Sequence, residues 1–323
     1  MKLKVWQAIN GAIRDAMTED ERVMVIGQDV GTPGGPYGMT RGLLSQFGQD
    51  RVRDAPISEA ALMACAIGAA MMGLRPIVEV MFLDFIGLPL DQIVNQAAKY
   101  RFFNSRDKDI ALPLVIHTLY GGRANMGAQH SQSLEAWLCH VPGLLVAFPS
   151  TPQDAYDILR NAIAEPSPVI VIESIVLLRE AGDVEIGAAR PQIGNARLVR
   201  QGRDLSVVSY GPAIRICEQA LDSLGIDADL IDLRWLSPWD EEMVLASVAK
   251  TGRIIVVHDA VEAGGWGGEI IAQVSRKGFW NLDAPPHRVG ADFSPIPVTS
   301  RDWKPRLPNV ERVCSSIKEI MKI

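Results

Sequence analysis

A chain of 323 residues, 48% of them hydrophobic and 22% charged, is long enough for about two domains of ~150 residues with buried cores, which excludes a disordered, collagen-like or disulfide-stapled miniprotein. Its formal net charge of −6 supplies no cationic footprint for nucleic acid or an anionic lipid surface. The four cysteines, Cys65, Cys139, Cys217 and Cys314, are too far apart for a C-x-x-C redox or metal pair and read as reduced structural thiols.

In chain order, Val5, Ala8, Ile9, Ala12, Ile13, Ala16 and Met17 share one helical stripe, and Val23 to Ile26 follows as a short apolar strand closing on Gly27. The chain start, Met1-Lys-Leu-Lys-Val-Trp6, runs straight into that helix with neither an apolar signal core nor an acid-free presequence, which predicts a cytoplasmic protein. Ile57 to Gly73 reads as helix, Ile77 to Phe82 as strand and Asp91 to Phe102 as helix. Leu112 to Ile116 and Leu144 to Phe148 read as strands, Pro152 to Ala164 as helix and Val169 to Ile172 as strand. Strands apolar on both faces, alternating with helices, predict an α/β domain over 1–180 with a mostly parallel sheet covered on each side. The longest uncharged stretch, Ala60 to Leu74, is short of the ~20 apolar residues of a spanning helix, so no membrane association is expected.

Between Arg179 and Arg203 the periodicity lapses into Gly, Ala, Pro and mixed charge, and the inter-domain connection is placed at 181–203. A second alternating unit fills 204–323. Leu205 to Tyr210, Asp229 to Leu233 and Ile254 to His258 read as strands; Ala213 to Leu224, Glu241 to Ala249, Gly268 to Arg276 and Val310 to Met321 read as helices.

Several common signatures are absent. The Gly-rich runs at 31–38, 121–122 and 264–268 do not fit G-x-G-x-x-G between a strand and a helix. The Walker-like spacing from Gly122 to Gly127 continues into Ala128 and Gln129 rather than Lys and Ser/Thr, so the phosphate grip is missing. G-x-S-x-G is absent, and the five histidines lack H-E-x-x-H spacing or partner cysteines.

Two local sites remain. Pro56-Ile-Ser-Glu59 opens the helix Ala60 to Gly73, and on its own it is a helix start, with Ser58 as cap and Glu59 meeting the positive dipole end. The company of Glu59 suggests a second reading. A helix with almost no polar face must be buried all round, so a carboxylate at its mouth is partly desolvated and suited to share a proton with a buried ligand nitrogen. The other site is the loop Gly121 to Trp137, where His130 sits as the loop becomes a short helix capped by Ser131 or Ser133. Loops at the carboxyl ends of such strands bind ligands, and a histidine there exchanges protons near neutral pH; its plain alternative is a surface-loop residue. His117, in apolar sequence, reads as a satisfied buried residue, and His140 as a turn residue.

At these residues the chain resembles the β subunits of the thiamine diphosphate-dependent 2-oxo acid dehydrogenase E1 component, the pyruvate, branched-chain 2-oxo acid and acetoin dehydrogenase group. The resemblance runs through Gly27-Gln-Asp-Val-Gly31, Asp54-Ala-Pro-Ile-Ser-Glu59, Gly73-Leu-Arg-Pro-Ile77, Asp91-Gln-Ile-Val-Asn-Gln-Ala-Ala-Lys99, Gln129-His-Ser-Gln132 and Ser247-Val-Ala-Lys-Thr-Gly252. It implies a transketolase pyrimidine-type domain followed by a transketolase C-terminal-type α/β domain, in an α2β2 heterotetramer with an E1 α subunit that serves a lipoyl-bearing E2 acyltransferase. It also implies that thiamine diphosphate spans the subunit interface, with Mg2+ and the diphosphate held by a Gly-Asp-Gly motif of the α subunit. No Gly-Asp-Gly occurs in this chain. On this resemblance Gln28, Ile57, Ser58, Glu59, Met81 and Phe85 bind the aminopyrimidine end. Glu59 hydrogen-bonds the ring nitrogen, and His130 holds substrate or exchanges protons during acyl transfer. Apolar surface beyond what a monomer covers is then expected at subunit contacts.

The chain departs from the family pattern at several places. Gln28 stands where many members carry Glu, and Met81 and Phe85 stand where branched-chain members carry Gln and Tyr, which looks more like the pyruvate and acetoin types. Glu165 and Ser167 take the places of an Asp and an Asn in potassium-binding members, which argues against a potassium site. The segment Phe102 to Asp107 lacks a Gly-Gly common in relatives. Two readings from other classes stay open: a non-catalytic interaction subunit of the same fold, with Gln28 as its first sign, and a nucleotide-dependent dehydrogenase.

Overall fold

The computed structural model describes residues 1–104 and 110–322, so the Ser105 to Asp107 part of the segment lacking Gly-Gly lies outside the described residues. The chain divides into two compact units, 1–121 with 137–193, and 122–136 with 194–323. The dividing point at residues 193 and 194 falls within 181–203, but the division is not contiguous. Residues 122–136, which include His130, group by contact with the second unit. The stretch 181–203 is not bare linker either, because it contains two short strands.

The first unit opens with β1 (Lys2–Lys4), α1 (Val5–Glu19), β2 (Val23–Gly27), α2 (Leu43–Phe47), β3 (Val52–Asp54), α3 (Glu59–Met71) and β4 (Arg75–Val80). It continues with α4 (Ala98–Phe103), β5 (Val115–Tyr120), α5 (Glu135–Cys139, whose first two residues group with the second unit), β6 (Leu145–Ala147), α6 (Pro152–Ala164), β7 (Val169–Ser174) and β8 (Ala181–Asp183). Six strands lie in the order β6-β7-β5-β4-β2-β3, all parallel to their neighbours. Strands β5 and β7 are buried at every residue, as strands covered on both faces must be. The apolar stripe of α1, from Val5 to Met17, is buried and packs on α6. That helix starts where Pro152 occupies the first turn and Thr151 Oγ1 accepts from the Asp154 backbone N–H, a cap that satisfies one orphan donor. The segment from Asp91 is not one α-helix: residues Gln92–Ala97 are π-helical before α4 begins.

The second unit carries β9 (Arg197–Arg200), β10 (Leu205–Ser209), α7 (Ala213–Leu224), β11 (Ala228–Asp232), β12 (Trp235–Ser237) and α8 (Glu241–Thr251). After these come β13 (Ile254–Val261), α9 (Trp266–Lys277), β14 (His287–Ala291), α10 (Ser300–Trp303) and α11 (Val310–Met321). Its sheet runs β14-β13-β10-β11-β9, parallel except for β9. The core gathers Leu205, Val207, Cys217, Leu221, Leu230, Ile255, Val313 and Ile317 from both helices and strands.

Candidate functional site

Three neighbouring strands of the first unit end at one level. Gly27 of β2 lies in register with Asp54 of β3 and with Glu79 of β4, so Gln28, the 55–58 segment and Met81 leave the sheet side by side at its carboxyl edge, where open α/β sheets bind ligands. The Ala55 N–H donates to the Gly27 carbonyl at 2.8 Å and leads the chain into α3. The Gly31 N–H donates to Asp54 Oδ1 at 2.8 Å, which pins the loop beyond Gln28. A side chain at Gly31 would put its Cβ 2.3 Å from Asp54 Oδ2, so glycine is needed there for the loop to lie this close.

Glu59 begins α3 and is buried, as is Gln28. The Gln28 Nε2 amide donates to Glu59 Oε1 at 3.3 Å; among the described residues Oε2 has no hydrogen-bond partner. Ser58 is exposed, and its side chain makes no capping bond, contrary to the expected cap. Its carbonyl accepts from the Leu62 N–H at 2.9 Å, so the backbone alone starts the helix. Ile57 is 83% exposed, and Met81 and Phe85 are half-buried. The expectation that α3 is buried all round fails: Leu62, Met63, Ala66, Ile67 and Ala70 face the core, while Ala61, Ala64, Cys65, Met71 and Met72 are exposed.

Sequence reasoning missed Glu79. It is fully buried beside Gly27, and a Cβ at Gly27 would lie 2.9 Å from that of Glu79. Burial pushes its carboxyl up to about 8, so it is predominantly protonated at neutral pH. Its register partner across β4 and β5 is His117, which burial pulls down to about 4 and so keeps neutral. Glu79 Oε1 and His117 Nε2 lack hydrogen-bond partners among the described residues, so His117 is buried but not satisfied. The only sequence signal was a glutamate in the apolar run Ile77 to Phe82.

His130 lies in the second unit, half-buried at a turn in which its N–H donates to the Gly127 carbonyl at 3.2 Å. No helix follows immediately. Helix α5 begins at Glu135, and Ser133 Oγ donates to Glu135 Oε2 at 2.7 Å. Both ends of the 122–136 segment are fastened within this unit. Arg123 forks onto the Asp259 carboxylate, and Trp303 Nε1 donates to Asn125 Oδ1 at 2.6 Å. At the far end the Tyr210 hydroxyl donates to the buried Glu135 Oε1 at 2.7 Å, and burial raises the Glu135 carboxyl against the lowering effect of its hydrogen bonds. The 1070 Å3 groove beside Arg123, Trp303 and Arg312 contains none of the candidate residues.

Among the described residues no three His, Cys, Asp or Glu side chains cluster to hold a metal ion, and no helix is long and apolar enough to cross a membrane.

Residues 1–180 match the transketolase pyrimidine binding domain and residues 194–305 the transketolase C-terminal domain. The chain is 39% identical over 325 residues to the 2-oxoisovalerate dehydrogenase subunit beta of Dictyostelium discoideum, covering 99% of this chain and 87% of that one. It is 38% identical over 334 residues to the acetoin:2,6-dichlorophenolindophenol oxidoreductase subunit beta of Cupriavidus necator, covering 99% and 98%. A solved structure described as a split gene transketolase, inactive beta4 tetramer, superposes with a TM-score of 0.80 at 18% identity, covering 99% of this chain and 98% of that one, a likeness of fold.

Proposed function

The chain belongs to the 2-oxo acid dehydrogenase E1 β-subunit family, and from that membership we propose that it contributes the aminopyrimidine half of a thiamine diphosphate site. With an α partner it would then decarboxylate a 2-oxo acid, or cleave acetoin, and pass the acyl group to the lipoyl group of an E2 acyltransferase. The Gln28–Glu59 pair carries this reading. Its chemistry suits a flat ring with one hydrogen-bonding edge: a buried carboxylate for the edge, with Met81 and the exposed Ile57 as apolar groups leaving the same sheet edge and Phe85 in the helical turn that follows β4. The nucleotide-dependent dehydrogenase reading loses its basis, since the first domain matches a pyrimidine-binding rather than a dinucleotide-binding family.

When bound, the cofactor supplies a thiazolium ring that accepts the electrons released as carbon dioxide leaves. This chain's own residues prepare for it. Glu59 offers Oε2 to share a proton with a ring nitrogen. Gln28 holds Oε1 of the same carboxylate, and because an amide does not titrate it orients Glu59 without competing for the proton. His130 serves substrate binding or acyl transfer.

Mg2+ and the diphosphate belong on the α subunit in this reading. The exposed Ala61, Cys65 and Met72 face of α3 is apolar surface suited to a partner subunit. Met81 and Phe85 favour pyruvate or acetoin over branched substrates.

Co-expression with the natural α chain, followed by assays against pyruvate, acetoin and branched 2-oxo acids, tests the proposal. Turnover that needs added thiamine diphosphate is the expected result; a complex that binds the cofactor but turns over none of these substrates would support a non-catalytic subunit.

A further inference from the structure

The turn that follows α6 is rich in oxygen acceptors. Helix α6 ends at Ala164, so the carbonyls of its last turn lack onward helical partners and carry the negative end of the helix dipole. Guanidinium groups of the same unit meet this region. Arg75 Nη1 donates to the Ile163 carbonyl at 2.7 Å. Arg101, in the last turn of α4, donates from Nη1 to the Ser167 hydroxyl oxygen and from Nε to the Ile110 carbonyl at 3.2 Å. Arg101 and Ser167 together line a cleft of about 490 Å3, with Ala98 and Gly143.

Potassium-binding members of the family place an Asp and an Asn where this chain has Glu165 and Ser167, and the groups present here do not fit that ion. Potassium is held by oxygens that replace its hydration shell. Here the Ser167 and Ile110 oxygens already accept from a guanidinium, whose permanent charge repels a second cation. Serine also holds its oxygen closer to the backbone than asparagine does, which leaves room for the planar guanidinium.

We infer that Arg101 takes over the role of a monovalent cation in this subunit: it supplies the positive charge that ties the turn after α6 to the segment entering β5, and the chain needs no potassium there. The inference rests on the family membership and not on the roles of Glu59 or His130.

Thermal melting of the full chain in potassium, sodium or choline chloride at equal ionic strength tests it without reading activity. The expected midpoints agree within about 1 °C, and Arg101→Gln lowers all of them by roughly 3–6 °C. A second variant, Ser167→Ala, removes the acceptor and keeps the charge; it is expected to melt slightly lower and to stay indifferent to potassium. A potassium-specific rise of several degrees in the unaltered chain or in Ser167→Ala overturns the inference. So does an Arg101→Gln variant that melts with the unaltered chain. Because activity is not measured, either result leaves the proposed catalytic role standing.

Discussion

Arg123 and Asp259, 136 residues apart in the chain, form a two-point ion pair: Nε donates to Oδ2 at 2.7 Å and Nη2 to Oδ1 at 2.6 Å. Their side chains are only 12% and 3% exposed, and Arg123 Nη2 also donates to the Pro308 carbonyl at 2.7 Å. This joins the start of the His130-bearing segment to the end of β13 within one unit.

Removing one member of such a pair strands the other charge away from water. Arg123→Ala should therefore cost about 3–5 kcal/mol of stability, well above the ~0–1 kcal/mol of a surface pair. Arg123→Lys should recover only part of this, since an ammonium cannot fork onto two oxygens. Urea unfolding measures the cost. Hydrogen exchange should show that protection is lost first across 122–136; a loss spread evenly over the second unit would instead mean that the pair only stabilises the core.

Glu59→Gln keeps the size and burial of the side chain but cannot share a proton as a carboxylate does. Turnover of the complex should fall by roughly 10²–10⁴-fold, the range of a general acid–base contribution. The melting point should barely move, because Gln28 can still donate to an amide oxygen at position 59. Retention of most activity would remove Glu59 from its proposed role.

The buried Glu79 gives stability a pH dependence whose sign is fixed by its shift. Its carboxyl rises from the ordinary 4.5 to about 8 in the folded chain. The stability it contributes is therefore fully present below 4.5 and is lost as pH rises through 8, at about 1.36 kcal/mol per pH unit. His117 falls from 6.5 to about 4 and acts in the opposite sense: its contribution grows with pH between 4 and 6.5. The two neighbours offset one another from 4.5 to 6.5, and Glu79 alone acts from 6.5 to 8. Glu79→Gln should remove a decline of roughly 2 kcal/mol across that upper window, a pH 6.5 to 8 comparison of urea midpoints being sufficient to see it.

Helices α6, α7 and α11 were legible to the residue because each carries an apolar stripe, and α6 and α11 also begin on side-chain caps at Thr151 and Asn309. The three-residue strands β1, β3 and β8 are too short for any period to show. The place of residues 122–136 was hidden for another reason: it depends on Arg123 meeting Asp259 and Glu135 meeting Tyr210, and contacts over 136 and 75 residues leave no local pattern. Helix α3 misled in an informative way. Its composition reported apolar surface correctly but could not say that the chain leaves Ala61, Cys65 and Met72 uncovered. Glu59 was legible from its place at the mouth of an apolar helix and Gln28 only from resemblance, while the hydrogen bond between them comes from strand register.

His130 offers the clearest separation of two steps of the proposed reaction. It sits in a turn set by its own N–H bond to Gly127, so His130→Ala removes the imidazole and leaves the backbone geometry in place. If the imidazole serves acyl transfer, reductive acylation of the lipoyl group should fall by about 10²-fold or more, the low end of what a placed proton donor contributes. Decarboxylation read with an artificial electron acceptor bypasses that step and should fall far less. Equal losses in the two assays would assign His130 to substrate binding, since a residue that only holds the substrate affects both routes alike.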